Sequence, residues 1–214
     1  GYQCRKRYRG KPTMNQQSKW TSSPARLCAL TDGIYAIVLT LLVLDLKPPQ
    51  DKNLTNAALM DDVLQQIPTF LAYIASFCVV AQIWQRHHRL FTHQLRCDVT
   101  IVGLNFLHIF LVTLIPYTAS LFGHYSDDRF AVIMFYVDLA TGGGSLMLIA
   151  RAIANRPDLR EPDKPVAVLT YHWAVRHIYG LSGILSILIS FIDLHFSLLV
   201  WIFGAAIMVK LRRQ

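Results

Sequence analysis

Three observations in the sequence predict an all-α integral membrane protein with six transmembrane helices. The 214 residues are 53% hydrophobic and only 16% charged, with a mean hydropathy of +0.35, a balance ordinary for a multi-span membrane protein and odd for a soluble domain. The apolar residues fall into helix-length blocks separated by short polar segments. All but three of the 21 Lys and Arg (Lys47, Lys52 and Arg129) lie on one set of alternate loops. By the positive-inside rule that asymmetry puts both termini in the cytoplasm. The net charge of +8 does not point to nucleic acid, because the basic residues sit between apolar blocks.

The chain divides into a basic, polar leader over residues 1–24 and a six-span domain over 25–214. The leader carries Arg5, Lys6, Arg7, Arg9, Lys11 and Lys19 and no apolar core, so it does not read as a cleavable signal peptide. It is expected to be disordered, with Met14 a candidate internal start and attraction to anionic lipid its functional alternative. Ser23 suits an N-cap and Pro24 a first helical position. The first span, Ala25 to Leu46, reaches about 33 Å at helical rise, enough to cross a bilayer, and Lys47-Pro48-Pro49 ends it. A second span is expected from about Asp62 to Leu90, with a tolerated kink at Pro68. A third runs from about Val99 to Leu121 and carries Asn105, His108 and Pro116. The fourth, Phe130 to Ala154, holds Asp138 and Gly142-Gly143-Gly144, which favour close helix approach. The fifth and sixth, His177 to Ile192 and His195 to Lys210, are joined so tightly at Asp193 that they form an antiparallel hairpin.

The first span is the informative one. At 100° per residue, Leu30, Gly33, Ile37, Leu41 and Leu44 form one stripe, with Thr40 at its edge. Asp32 lies about 140° from Ile37 and points elsewhere. By itself such a ladder faces lipid or packs against a neighbour. An acid within the membrane is costly and should face protein or water with a partner. Arg26, Trp84, His87 or His88, and Asn105 are the partners available at its depth. Guanidinium, indole N–H and amide together satisfy a carboxylate without water; a proton relay through Asp32 and a histidine is the functional alternative. Asp138 is a second buried acid, with no partner evident along its own helix.

No enzyme constellation is present: no Gly-x-Ser-x-Gly elbow, His-Glu-x-x-His, Walker loop or Gly-x-Gly-x-x-Gly after a strand. His87 and His88 point about 100° apart on a helix, and His93 does not complete a chelating spacing, so no metal site is expected. Cys4, Cys28, Cys78 and Cys97 show neither zinc nor disulfide spacing and read as reduced thiols. No cofactor is expected. The Thr-Val-Gly-Tyr-Gly filter of ordinary potassium channels is absent as well.

Arg26, then Leu30-Thr31-Asp32-Gly33 and the aliphatic run Ile34 to Leu44, resembles the first helix of the transmembrane protein 175 family of potassium channels. The family's Phe-Ser-Asp-Gly reads Leu-Thr-Asp-Gly here, which keeps a hydroxyl before the acid. Trp84-Gln85-Arg86-His87-His88-Arg89-Leu90-Phe91 resembles the end of the family's second helix, and Leu104-Asn105 its third; the resemblance covers about residues 25 to 210. It implies a homotetramer of six-span subunits in the bacterial plasma membrane, conducting potassium passively along a pore lined by the first helix. It assigns Ile37 to a hydrophobic constriction, Leu41 and Leu44 to further apolar layers, and Thr40 to the hydroxyl position that tunes selectivity. Arg26, Asp32, Trp84, His88 and Asn105 correspond to the network that holds the pore helix. Asp45 then rings the outer mouth, unless it is a plain solvated helix-end acid. Its partners would be K+ ions, membrane lipid and its own copies, with no nucleic acid. The alternative is a proton-coupled secondary transporter using Asp32, Asp138 and the histidines.

Overall fold

The computed structural model describes residues 21–51, 53–161, 181 and 184–189. A two-residue strand β1 (Thr21–Ser22) leads into α1 (Pro24–Leu41), which tightens into a 3-10 turn over Leu42–Asp45. There follow α2 (Asn56–Gln65), α3 (Ile67–Phe91), a second short strand β2 (Cys97–Asp98), α4 (Val99–His124), α5 (Arg129–Ala154) and a 3-10 turn at Pro157–Leu159. Pro24–Asp45, Val99–His124 and Arg129–Ala154 are each long and apolar enough to cross a membrane, and α2 with α3 passes the same test as a pair bent by 45°. Of the expected fifth span only 181 and 184–189 are described, and these are helical; the expected sixth span, the turn at Asp193 and the leader before Thr21 lie outside the described residues.

The ends of these helices follow from their residues. Asp98 Oδ1 accepts from the Ile101 N–H at 2.9 Å to cap α4, and Asp128 Oδ1 accepts from Phe130 and Ala131 to cap α5. Thr55 caps α2 by accepting from the Ala58 N–H. Pro24 starts α1 as its sequence predicts, but Ser23 makes no side-chain cap bond. The second span is not one continuous helix from Asp62. Gln66 adopts φ −83°, ψ 2° between α2 and α3; Pro68 has no N–H to give the carbonyl four residues back, so an unbroken helix would lose the bond at Leu64.

Contacts at both ends fix how the helices run. α1 meets the start of α4 through β1–β2 pairing (Thr21 with Asp98, Ser22 with Cys97) and its far end through Asp45 and Ser120. The two are therefore parallel. α3 opposes them, with Thr69 near Gly123 at one end and His87 at Asn105 toward the other, and α5 opposes α4 through Asp138–Thr118 and Ser145–His108. Helices α1, α3, α4 and α5 therefore alternate in direction. α4 touches α1, α3 and α5, and the core between them is aliphatic and aromatic, with Val38, Ile83, Ile101, Ile115, Phe135 and Ile149 all essentially inaccessible.

One close approach between helices falls where the sequence gives little warning. A Cβ on Gly123 would stand 3.1 Å from the Thr69 Cα, and the Thr69 hydroxyl donates to the Gly123 carbonyl at 3.1 Å. In the triple-glycine run, by contrast, Gly142 would meet only the Ile115 Cδ1 at 3.8 Å, and Gly144 has open space. At the basic end, the Leu159 carbonyl accepts from Leu95 and Arg96, the Glu161 N–H donates to the His93 carbonyl, and Arg156 pairs with Asp98 at 3.3 Å. The segment after α5 thus clasps the α3–α4 loop, which in turn pairs with the strand ahead of α1.

Candidate pore helix and its anchoring network

α1 has two different faces. Leu27, Thr31, Tyr35, Val38 and Leu42 pack into the subunit. On the other side Leu30, Ile37, Leu41 and Leu44 are 44%, 54%, 44% and 66% exposed, and no Cβ added at Gly33 would touch anything. The predicted stripe is therefore the face that the described residues of its own subunit leave uncovered. Thr40 is exposed beside it, and its hydroxyl donates to the Ile37 carbonyl at 2.8 Å, leaving oxygen lone pairs outward.

The inner face is held by polar side chains. The Trp84 indole N–H donates to Asp32 Oδ1 at 2.8 Å, and His88 stacks on that indole with ring centroids 5.9 Å apart. Asn105 is fully buried and does not reach Asp32. It donates from Nδ2 to the Thr31 hydroxyl at 2.9 Å, and its Oδ1 meets His87 Nε2 at 2.7 Å. Thr31 in turn donates to the Leu27 carbonyl at 2.9 Å. Arg26 is exposed at the first turn and makes no hydrogen bond or ion pair among the described residues. The five residues of the expected network thus separate: Asp32, Trp84 and His88 form a half-exposed group, Asn105 pairs in the interior, and Arg26 joins neither. The buried histidine is His87; His88, one residue on, is turned about 100° away and left exposed.

One turn further along α4 lies a second layer. The Tyr35 hydroxyl is 2.6 Å from His108 Nε2, His108 Nδ1 is 2.7 Å from the Ser145 Oγ, and Ser145 donates to the Gly142 carbonyl at 2.7 Å. With the Ser145 proton committed to that carbonyl, assigning Nδ1–H as donor to Ser145 and Nε2 as acceptor from Tyr35 satisfies every group in the chain. The His87 and His108 rings lie nearly parallel, 7° apart in plane with centroids at 5.6 Å, and join the two layers. His108 belongs to a buried ladder on α4, Ile101, Asn105, His108, Val112 and Ile115. Two polar residues inside such a 4-3-4-3 spacing are the sequence signal that marks them as interior.

Asp45 is turned toward α4: Ser120 Oγ donates to its Oδ1 at 2.7 Å, and His124 Nδ1 stands 3.6 Å from its Oδ2. Only 19% of its side chain is exposed, so it is not a plain solvated helix-end acid. With Thr69, Tyr73 and Ser120 it lines a small cavity at that end. Asp138 finds its partner across the helix interface, accepting from the Thr118 hydroxyl at 2.7 Å. At the basic end the Cys97 thiol is fully buried, and that burial, with Cys28 and Asp98 adding to it, pushes it up to about 12.

Alternating apolar helices with a polar seam inside, and an aliphatic stripe that the described residues leave uncovered, define a helical multi-span membrane protein. Residues 26–116 match the family model described as endosomal/lysosomal potassium channel TMEM175. A Chamaesiphon minutus protein named a potassium channel is 36% identical over 104 residues, 49% of this chain and 51% of that one. The human endosomal/lysosomal proton channel TMEM175 is 36% identical over 100 residues, 44% of this chain and 20% of that one. The crystal structure of a lysosomal potassium-selective channel TMEM175 homolog from Chamaesiphon minutus superposes with a TM-score of 0.72 at 25% identity, covering 87% of this chain and 96% of that one. Over residues 26–116 the chain is similar to the TMEM175 family, and its fold follows that of the Chamaesiphon homolog. In sequence it spans about half the length of the bacterial relatives it matches.

Proposed function

We propose that the protein is a potassium-favouring cation channel of the bacterial plasma membrane, formed by four copies of a six-span subunit with both termini cytoplasmic. One observation carries this reading: α1 leaves Ile37, Leu41 and Leu44 uncovered while its opposite face is fixed by Thr31, Asp32 and Tyr35. Around a shared axis those side chains stack as apolar rings, which exclude water when tight and admit hydrated ions when slightly wider. Thr40 adds a ring of hydroxyls one turn outward of Ile37 and tunes selectivity. Asp45, held by Ser120, keeps its charge in place at the outer mouth, where it raises local cation concentration. Lacking carbonyl cages, the pore discriminates K+ from Na+ less sharply than filter-bearing channels.

The bacterial relatives are named potassium channels and the mammalian ones proton channels, so the permeant ion is the point to test. The Thr31 and Tyr35 chains each end on a helix carbonyl, Leu27 or Gly142, an arrangement that supports bracing rather than proton relay. The experiment is ion flux in proteoliposomes, wild type beside Ile37→Asn. Voltage-driven K+ flux that rises in the variant, with reversal potentials moving toward equal K+ and Na+ permeability, supports the pore. Unchanged flux returns the stripe to lipid or packing. Uptake that needs a pH gradient and saturates favours the proton-coupled transporter.

A further inference from the structure

We infer that His108 is a positioning residue that sets the rotation of the pore helix, acting through Tyr35. The inference rests on the pore assigned above and concerns residues outside the Asp32 motif.

α1 rests on α3 and α4. His108, fully buried on α4, bridges the Tyr35 hydroxyl of α1 at 2.6 Å and the Ser145 hydroxyl of α5 at 2.7 Å. Among the described residues α5 is 61% buried over its most apolar window, against 28% for α1 and for α4. The chain therefore ties α1, by way of α4, to the more enclosed α5. Tyr35 and Ile37 are two residues apart, about 200° around the helix, so the tether and the proposed constriction lie nearly opposite each other. Holding one holds the azimuth of the other. With side chains about 5–6 Å from the helix axis, a rotation of about 20° would carry the Ile37 tip sideways by about 2 Å. Displacement on that scale widens a ring of isoleucines enough to wet it. The Asn105–Thr31 bond cannot replace the tether. Thr31 lies about 120° from Ile37 and more than a turn toward the basic end.

The test is planar-bilayer recording of reconstituted channels, counting only those that assemble. Wild-type current tests the pore itself; if wild type carries none, the pore reading fails before the inference is reached. Given wild-type current, Tyr35→Phe, which removes one oxygen and no volume of packing, is expected to lower the K+/Na+ permeability ratio by about threefold and raise unitary current, the ratio one average intramembrane hydrogen bond is worth. His108→Leu is expected to do the same, and Tyr35→Phe with His108→Leu to do no more than the larger single change. His108→Gln, which can accept from Tyr35 and donate to Ser145, is expected to recover most of the wild-type ratio. A merely structural histidine would alter the yield of assembled channels and leave the ratio alone. An unchanged ratio in Tyr35→Phe, or additive effects in the double variant, overturns the inference; Tyr35→Phe keeps the test intact even where His108→Leu does not assemble.

Discussion

Asn105→Leu is the substitution whose cost can be worked out atom by atom. Leucine shares asparagine's branching and heavy-atom count though it is bulkier, so the change chiefly removes polarity. Two bonds go: Nδ2 to the Thr31 hydroxyl at 2.9 Å and Oδ1 with His87 Nε2 at 2.7 Å. Thr31 loses little, because its own proton still reaches the Leu27 carbonyl. His87 loses more. Its Nδ1 already has no hydrogen-bond partner among the described residues, and the ring is fully buried. The substitution therefore strands an entire imidazole, a penalty of about 1–3 kcal/mol on top of about 1 kcal/mol for the lost bonds. Intramembrane bonds average about 0.6 kcal/mol, since the unfolded chain finds other partners, which brings the expected total to about 2–3 kcal/mol. Thermal or SDS unfolding in detergent measures it. The decisive comparison is Asn105→Leu/His87→Phe. With the stranded ring gone, and phenylalanine able to keep the stacking against Phe91, the pair is expected to be about 1 kcal/mol more stable than Asn105→Leu alone. If the double variant is instead less stable than Asn105→Leu by the full cost of His87→Phe, the stranded-donor reasoning is wrong.

Trp84→Phe keeps the ring on His88 but removes the N–H given to Asp32; with Asp32 only half-buried, a loss of about 1–1.5 kcal/mol is expected, the low end for a bond to a charged group, read in the same unfolding assay. Gly123→Ala should destabilise by about 1–3 kcal/mol, because its Cβ meets the Thr69 backbone, which cannot rotate away. Gly144→Ala, with open space around it, should be neutral or stabilise α5 by up to about 1 kcal/mol, so equal thermal shifts for the two would refute the packing argument. The Cys97 thiol, buried and pushed up to about 12, should resist maleimide at pH 8 in the folded protein and react once denatured; mass spectrometry showing rapid native labelling at Cys97 would contradict its burial.

Apolar block length made three membrane-length helices legible, with ends close to those found: α4 and α5 begin at Val99 and Arg129, where Asp98 and Asp128 supply caps. The break in the second span was only half legible. Pro68 announced a kink, but its effect falls on the residues before it, separating α2 from α3 at Gln66. Close helix contact was sought at three consecutive glycines; Gly123 makes one as well, where a Cβ would meet the Thr69 backbone at 3.1 Å. Nothing in the local sequence says that Thr69 will face it from 54 residues away.

The site divides the same way, along the line between rotation and pairing. Helical phase alone put Ile37, Leu41 and Leu44 on one stripe and Asp32 off it, since those angles are fixed within a single helix. Pairing across helices needs the phase of both partners. His87 and His88 compete for one buried place, and the order of residues does not decide between them; the rotation of α3 against α4 does, turning His87 inward to Asn105 and leaving His88 to cover Trp84. That same rotation brings the His87 ring flat against His108. An intramembrane histidine at i+3 from an asparagine already lies on the same inward stripe, so once Asn105 is taken as interior, His108 follows. Its bonds to Tyr35 and Ser145 then follow from the need of a buried imidazole for one donor and one acceptor. What the sequence alone lacks is the identity of those two partners, which depends on three helices meeting at one height.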